Sequence, residues 1–186
     1  IVGVDNGNAW RDSELTPKSI GVVQHLEMLC EDFKPEGEIF DNFLMNTVIP
    51  YVENNFPVCT DRQNVAVCGS SSGGLMSFFS AFEHPEKFGY AGVFSPAFLC
   101  YTRENWAKYI STKIVENMPY LYIYTGNGDE LEEMIFESTE MLYELLEESF
   151  YPYDRMNEVI LFENAHNEKS WREIFPDFLH TFLSRL

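Results

Sequence analysis

The run Val65-Ala66-Val67-Cys68-Gly69-Ser70-Ser71-Ser72-Gly73-Gly74-Leu75 limits what this chain can fold into more than any other stretch. Val65 to Cys68 are small apolar residues of the kind that fill a buried strand. Leu75, Met76, Phe78, Phe79 and Phe82 then fall on one helix face. Between them stands Gly-x-Ser-x-Gly, giving strand, tight turn, helix, which is the setting of a nucleophile elbow. Ser71 at its centre must take a strained backbone conformation. Gly69 and Gly73, two residues to either side, are expected to lack side chains because strand and helix crowd together there. Ser71 would stand at a helix N-terminus, where free N–H groups and the helix dipole favour developing negative charge. A serine-glycine turn without activity is the plainer reading, and the flanking patterns argue against it.

The chain is long enough, at 186 residues, for one domain with a sizeable core, taken here as residues 1–186. Its net charge of −18 speaks against nucleic acid and anionic membrane surfaces, since 12 scattered cations cannot assemble a basic patch. No apolar run reaches the length of a bilayer span. Cys30, Cys59, Cys68 and Cys100 lack the pairing that zinc requires, and Cys68 reads as a packed thiol in the strand. Free thiols favour a reducing, cytoplasmic compartment. The start at Ile1, without an initiator methionine, leaves a removed leader peptide open and hints at a partial sequence.

Along the chain, Ile1–Val4 reads as a short buried strand closed by the turn Asp5-Asn6-Gly7. Ile20, Val23, Leu26, Cys30 and Phe33 are spaced for an amphipathic helix. Phe40, Phe43, Leu44, Val48, Ile49 and Val52 mark a second, with Pro50 as a kink. After the elbow helix, ending near His84-Pro85, Tyr90–Ser95 is a strand and 102–116 a weaker helix. Tyr120–Thr125 is another strand, and Gly126-Asn127-Gly128-Asp129 a turn. Leu131, Ile135, Leu142 and Leu146 belong to the apolar face of a long helix whose glutamates read as a solvated surface. Val159–Phe162 is the last strand. A terminal helix begins by Trp171, with Pro176 placed to divide it. Such alternation predicts a parallel sheet covered on both faces, with ligands bound beyond the strands' carboxyl ends.

Asn6, Ser71, Asp129 and His166 all follow predicted strands and so share that edge. A serine hydroxyl needs a base, and of His25, His84, His166 and His180 only His166 lies in a loop after a strand. The base needs a carboxylate. Asp129 is the best placed, with Glu130 as its substitute; the other reading of Asp129 is a helix N-cap. The order Ser71, Asp129, His166 is that of an α/β-hydrolase. The backbone N–H of Ser72 is the first oxyanion donor. No glycine-rich segment offers the second, which this fold takes from a loop after an earlier strand.

Val2-Gly3-Val4-Asp5-Asn6-Gly7, Arg11, Glu14-Leu15-Thr16-Pro17 and Val48-Ile49-Pro50-Tyr51-Val52 resemble the Putative esterase family of α/β-hydrolases. Gly69–Leu75, Phe94-Ser95-Pro96-Ala97-Phe98 and His166-Asn167-Glu168 with Trp171 extend the resemblance over nearly the whole chain. That family includes enterochelin esterases, feruloyl and acetyl-xylan esterases, and S-formylglutathione hydrolases. The resemblance implies Ser71 as nucleophile, His166 as base and Asp129 as acid, with Asn6 and Arg11 near the substrate mouth. Asn6 and Arg11 also read as a turn residue and an ion-pair partner. Family members carry further strands before the position of Ile1. The one bearing the second oxyanion donor lies between those matching Ile1–Val4 and Val65–Cys68, so the expectation is a longer polypeptide or a rearranged sheet. The expected activity is serine esterase chemistry on a carbohydrate or small acyl ester, needing no metal or organic cofactor. A non-catalytic hydrolase-like binding module and an acyltransferase on the same triad are the other readings.

Overall fold

The computed structural model describes residues 1–29 and 31–185. Three short helices come first: α1 (Arg11–Glu14), α2 (Gly37–Phe43) and α3 (Ile49–Asn55). Four strands follow, β1 (Ala66–Ser70), β2 (Tyr90–Phe94), β3 (Tyr120–Thr125) and β4 (Met156–Ile160). Each is succeeded by a helix: α4 (Ser72–Glu83), α5 (Arg103–Ser111), α6 (Glu130–Glu148) and α7 (Glu168–Leu183). The strands pair in parallel in the order β1-β2-β3-β4. A helix between successive strands returns the chain to the same end of the sheet, which is what parallel pairing requires.

The period-2 alternation of β3 sorts its side chains between two cores. Leu121 and Ile123 enter the larger core with Leu75, Phe78, Phe79 and Trp106. Tyr120, Tyr122 and Tyr124 face α7, where Ile174 and Phe178 cover them. A Cβ at Gly92 would meet the Phe178 ring at 3.0 Å, so glycine there lets α7 settle close on β2. Ser70 is level with Phe94, Phe94 with Tyr124, and Thr125 with Ile160. The residues that follow the strands therefore emerge together on one rim.

Several expectations change. Ile1–Val4 is not a strand: among the described residues it pairs with none of the sheet, and Ile1, Val2 and Val4 are exposed. An apolar tetrapeptide needs a ladder partner to become a strand, and hydrophobicity alone does not supply one. Among the described residues β1 thus has one unpaired edge, and a groove of about 540 Å³ runs along it, lined by Val4, Leu44, Val67, Met76, Phe178 and Phe182 among others. Cys68 is exposed there instead of packed. The helix expected over 20–33 is an irregular strap containing one short turn, Leu26–Met28. Ile20 and Val23 are buried at the spacing that suggested a helix. They lie in chain tied by Gln24 N–H to the Cys100 carbonyl (2.8 Å) and turned by His25 at φ 54°. Cys30 lies outside the described residues.

At Pro50 the chain does not simply kink. Residues Leu44–Val48 form a π-helical turn between α2 and α3, a wider winding that accommodates a ring unable to donate a hydrogen bond. Pro176 leaves α7 undivided. It lies on the solvent face, where water can satisfy the carbonyl that a proline leaves unpaired.

Candidate active site

Ser71 follows β1 directly, at φ 58° and ψ −124°, and is the N-cap of α4. Its N–H continues the sheet ladder to the Phe94 carbonyl (2.9 Å). Its own carbonyl accepts from Leu75 and Ala97 N–H at 3.0 and 3.1 Å. A serine in this strained region persists only because such contacts determine it from both sides. The turn's tightness is visible at Gly69, where a Cβ would sit 2.5 Å from the Gly73 carbonyl oxygen. Gly73 itself is not crowded, since its nearest neighbour, Arg11 Nη2, lies at 3.8 Å. The second obligatory glycine is Gly74, whose Cβ would stand 2.8 Å from the Phe94 oxygen.

His166 reaches Ser71 from 95 positions away, with Nε2 3.0 Å from Oγ. What brings it there is a backbone clasp. Gly128 N–H donates to the Asn164 carbonyl (2.8 Å) and Glu163 N–H to Asn127 Oδ1 (3.0 Å). Gly126 and Gly128 leave no room for a Cβ against the backbone of Asn164 and Glu163. That contact explains the two glycines of the Gly-Asn-Gly-Asp turn.

The carboxylate facing the imidazole is Glu132, with Oε2 2.6 Å from His166 Nδ1. Neither Asp129 nor Glu130 occupies that place. Asp129 caps α6: its Oδ1 accepts from Glu132 N–H (2.8 Å) and its Oδ2 from His166 N–H (2.7 Å). Both oxygens are committed to backbone donors. Although burial pushes the other way, those donors hold the Asp129 carboxyl below its usual range. Glu132 is wholly buried. Its other oxygen, Oε1, accepts from Gly126 N–H (2.8 Å) and Ser95 Oγ (2.6 Å). A carboxylate removed from water needs donors on both oxygens, and Glu132 has them. Its position was readable: Glu132, Ile135, Thr139, Leu142 and Leu146 recur at helical spacing and are all buried. One glutamate therefore belongs to the apolar face instead of the solvated one. Asp129 with Glu132 also has the form of a capping box, except that the glutamate turns inward.

The N–H of Ser72, at the first position of α4, is among the helix donors without an intrahelical acceptor. Ser72 Oγ donates to Asp12 Oδ1 (2.9 Å), a partner that nothing in the motif announces. Arg11 Nη2 donates to the Ser70 carbonyl (3.0 Å), and its Nη1 lies 3.6 Å from Asp12. Asn6 Oδ1 accepts from Asn8 N–H (2.9 Å), which makes it a turn residue. Both Asn6 and Arg11 line the groove beside β1. β1 is the first strand of the described residues, so the expected second oxyanion loop has no counterpart among them.

A parallel sheet with a strained serine after one strand, and a histidine delivered to it from a loop after the last, is the architecture of an α/β-hydrolase. Residues 1–182 match the family model described as Putative esterase, and the chain belongs to that family. It is 32% identical over 107 residues to an endo-1,4-beta-xylanase/feruloyl esterase of Xylanibacter ruminicola, covering 57% of this chain and 13% of that protein. Among solved structures it resembles the siderophore hydrolase EstA of Aspergillus nidulans, with TM-score 0.68 at 20% identity. That likeness covers 95% of this chain and 70% of the other. It also resembles the enterochelin esterase of Shigella flexneri, with TM-score 0.65 at 19% identity over 77% of this chain and 36% of the other. The chain thus spans about an eighth of the xylanase/feruloyl esterase and about a third of the enterochelin esterase.

Proposed function

We propose that this chain hydrolyses a carboxylic ester through an acyl-enzyme on Ser71. The observation that carries the reading is the continuous series Ser71 Oγ, His166 Nε2, His166 Nδ1, Glu132 Oε2, with links of 3.0 and 2.6 Å. Ser71 Oγ attacks the ester carbonyl carbon while His166 Nε2 takes its proton. Ser72 N–H donates to the oxyanion that forms. Glu132 keeps the remaining ring proton on Nδ1 and balances the imidazolium charge. His166 then gives its Nε2 proton to the departing alcohol. Water, deprotonated by His166, attacks the acyl-enzyme, releasing the acid and restoring Ser71. Glu132 takes the role expected of Asp129, and Asp129 positions the His166 backbone.

Family membership and the feruloyl esterase relative support a carbohydrate ester or small acyl ester as substrate. Arg11 and Asn6, on the groove side of the elbow, are placed to meet its polar parts. Ser71→Ala should lower hydrolysis of p-nitrophenyl acetate by at least about 10³-fold, with the circular dichroism of the fold retained. It should also abolish labelling by a fluorophosphonate probe, which reacts only with an activated serine. Undiminished turnover in that variant, or an unlabelled wild-type protein, would refute the proposal.

A further inference from the structure

Behind the Ser71–His166–Glu132 series lie two side chains that the mechanism above leaves unused, Ser95 and Trp171. Ser95 is wholly buried at the end of β2, with a left-handed φ of 40° just before Pro96. That conformation is unfavourable for serine, and doubly so before proline. It is fixed by the Ser95 N–H, which donates to the Tyr124 carbonyl at 2.7 Å. The consequence is that Ser95 Oγ lies 2.6 Å from Glu132 Oε1. Trp171, in the first turns of α7, places its indole Nε1 2.9 Å from the same Ser95 Oγ. Its ring also stands edge-on to His166, with centroids 5.0 Å apart and planes at 88°.

The chemistry of the donors gives this chain of contacts a single direction. An indole N–H can only donate, and a serine hydroxyl has one proton. Trp171 therefore donates to Ser95, and Ser95 has its proton free for Glu132. With Gly126 N–H on the same oxygen, Oε1 is occupied twice. Only Oε2 is left for His166 Nδ1, so the imidazole keeps Nε2 toward Ser71.

Resting on the esterase reading of Ser71 and His166, we propose that Ser95 and Trp171 are positioning residues. They fix the rotation of the Glu132 carboxylate and, through the Trp171 ring, the plane of His166. Ser95→Ala removes the hydroxyl from Glu132 and leaves the indole without its acceptor. Outer partners of this kind are worth about 10- to 100-fold, and the loss should fall on kcat with KM for p-nitrophenyl acetate nearly unchanged. Trp171→Phe keeps a ring beside His166 but deletes the N–H, and should lower kcat by several-fold. Ser95→Cys, which retains a weak donor, should recover part of the Ser95→Ala loss.

Kinetics and melting temperature are measured together on the four proteins. Lower melting temperatures with wild-type kcat and KM would mean purely structural contacts and overturn the inference. Ser95→Ala failing to fold would leave Trp171→Phe to decide by the same two readouts. Fluorophosphonate labelling of the wild type separates the two levels. Without labelling the esterase reading falls and takes this inference with it, whereas a labelled enzyme indifferent to both substitutions overturns the inference alone.

Discussion

Ser71 has two flanks, and they are built differently. Toward β2, β3 and α7 a connected series of polar groups surrounds it: His166 with Glu132, Glu132 with Gly126 and Ser95, Ser95 with Trp171, Asp129 with two backbone N–H groups. Toward the N-terminal segment, among the described residues, β1 has an unpaired edge beside an apolar groove, and Ile1–Val4 joins no strand. Among the described residues, Arg11 and Asp12 reach across to the elbow from that side through side-chain hydrogen bonds. The difference teaches that the Ser71–His166–Glu132 contacts are held by strand ends and the clasp between two loops, on the side away from β1's free edge. Chemistry and edge can then be perturbed separately.

The largest expected effect is on the closed flank. Glu132→Gln should lower kcat by roughly 10⁴-fold, as loss of the histidine-orienting carboxylate does in such relays. Asp129→Ala should cost about 1 kcal/mol of stability through the lost cap and lower kcat far less. The reverse ranking in p-nitrophenyl acetate kinetics would return the acid role to Asp129. Next comes packing. Ile123→Ala, in the wholly buried β3, should cost about 2–5 kcal/mol in urea unfolding. Val67→Ala, on the half-buried β1 edge, should cost about 1 kcal/mol or less. Equal costs would mean the groove is as well packed as the core.

The smallest effect is a pH dependence on the open flank. Asp41 of α2 holds Ser80 of α4 and His84, the C-cap of that helix, at 2.7 and 2.6 Å. The hydrogen bond to Asp41 raises the His84 pKa, against burial, which lowers it. Protonated His84 is thus favoured in the folded state. The added stability is complete below about pH 6.5 and fades as pH rises through the higher folded value. The melting-temperature gap between wild type and Asp41→Asn should accordingly be wider at pH 5.5 than at pH 9. A constant gap would remove His84 from the linkage.

What could be read from the residues was what is written locally. Tyr120–Thr125 was legible to its ends because a continuous apolar run between turn residues admits little else. That Ser71 and His166 would share a rim followed from strand alternation. The Glu132 contact was overlooked because glutamates on a helix are read as solvent-facing, although its spacing with Ile135, Thr139, Leu142 and Leu146 puts this one on the apolar face. The strap over 20–33 misled for the opposite reason: Ile20 and Val23 are buried, but by chain draped on the core instead of by a helix. Ile1–Val4 had a strand's composition without a strand's partner. Gly73 matched the motif while Gly74 bears the crowding, a distinction that only the approach of Phe94 reveals.

The clasp between Gly126–Asp129 and Glu163–His166 has a consequence for how this chain can vary. It fastens the two ends of an excursion containing α6 and β4, so that the stretch between forms a tied ring. Length changes at its far tip, around the exposed Phe150 and Tyr153, end at the knot and leave the imidazole where it is. Insertions there should be far better tolerated than a single residue added between Gly126 and Asp129.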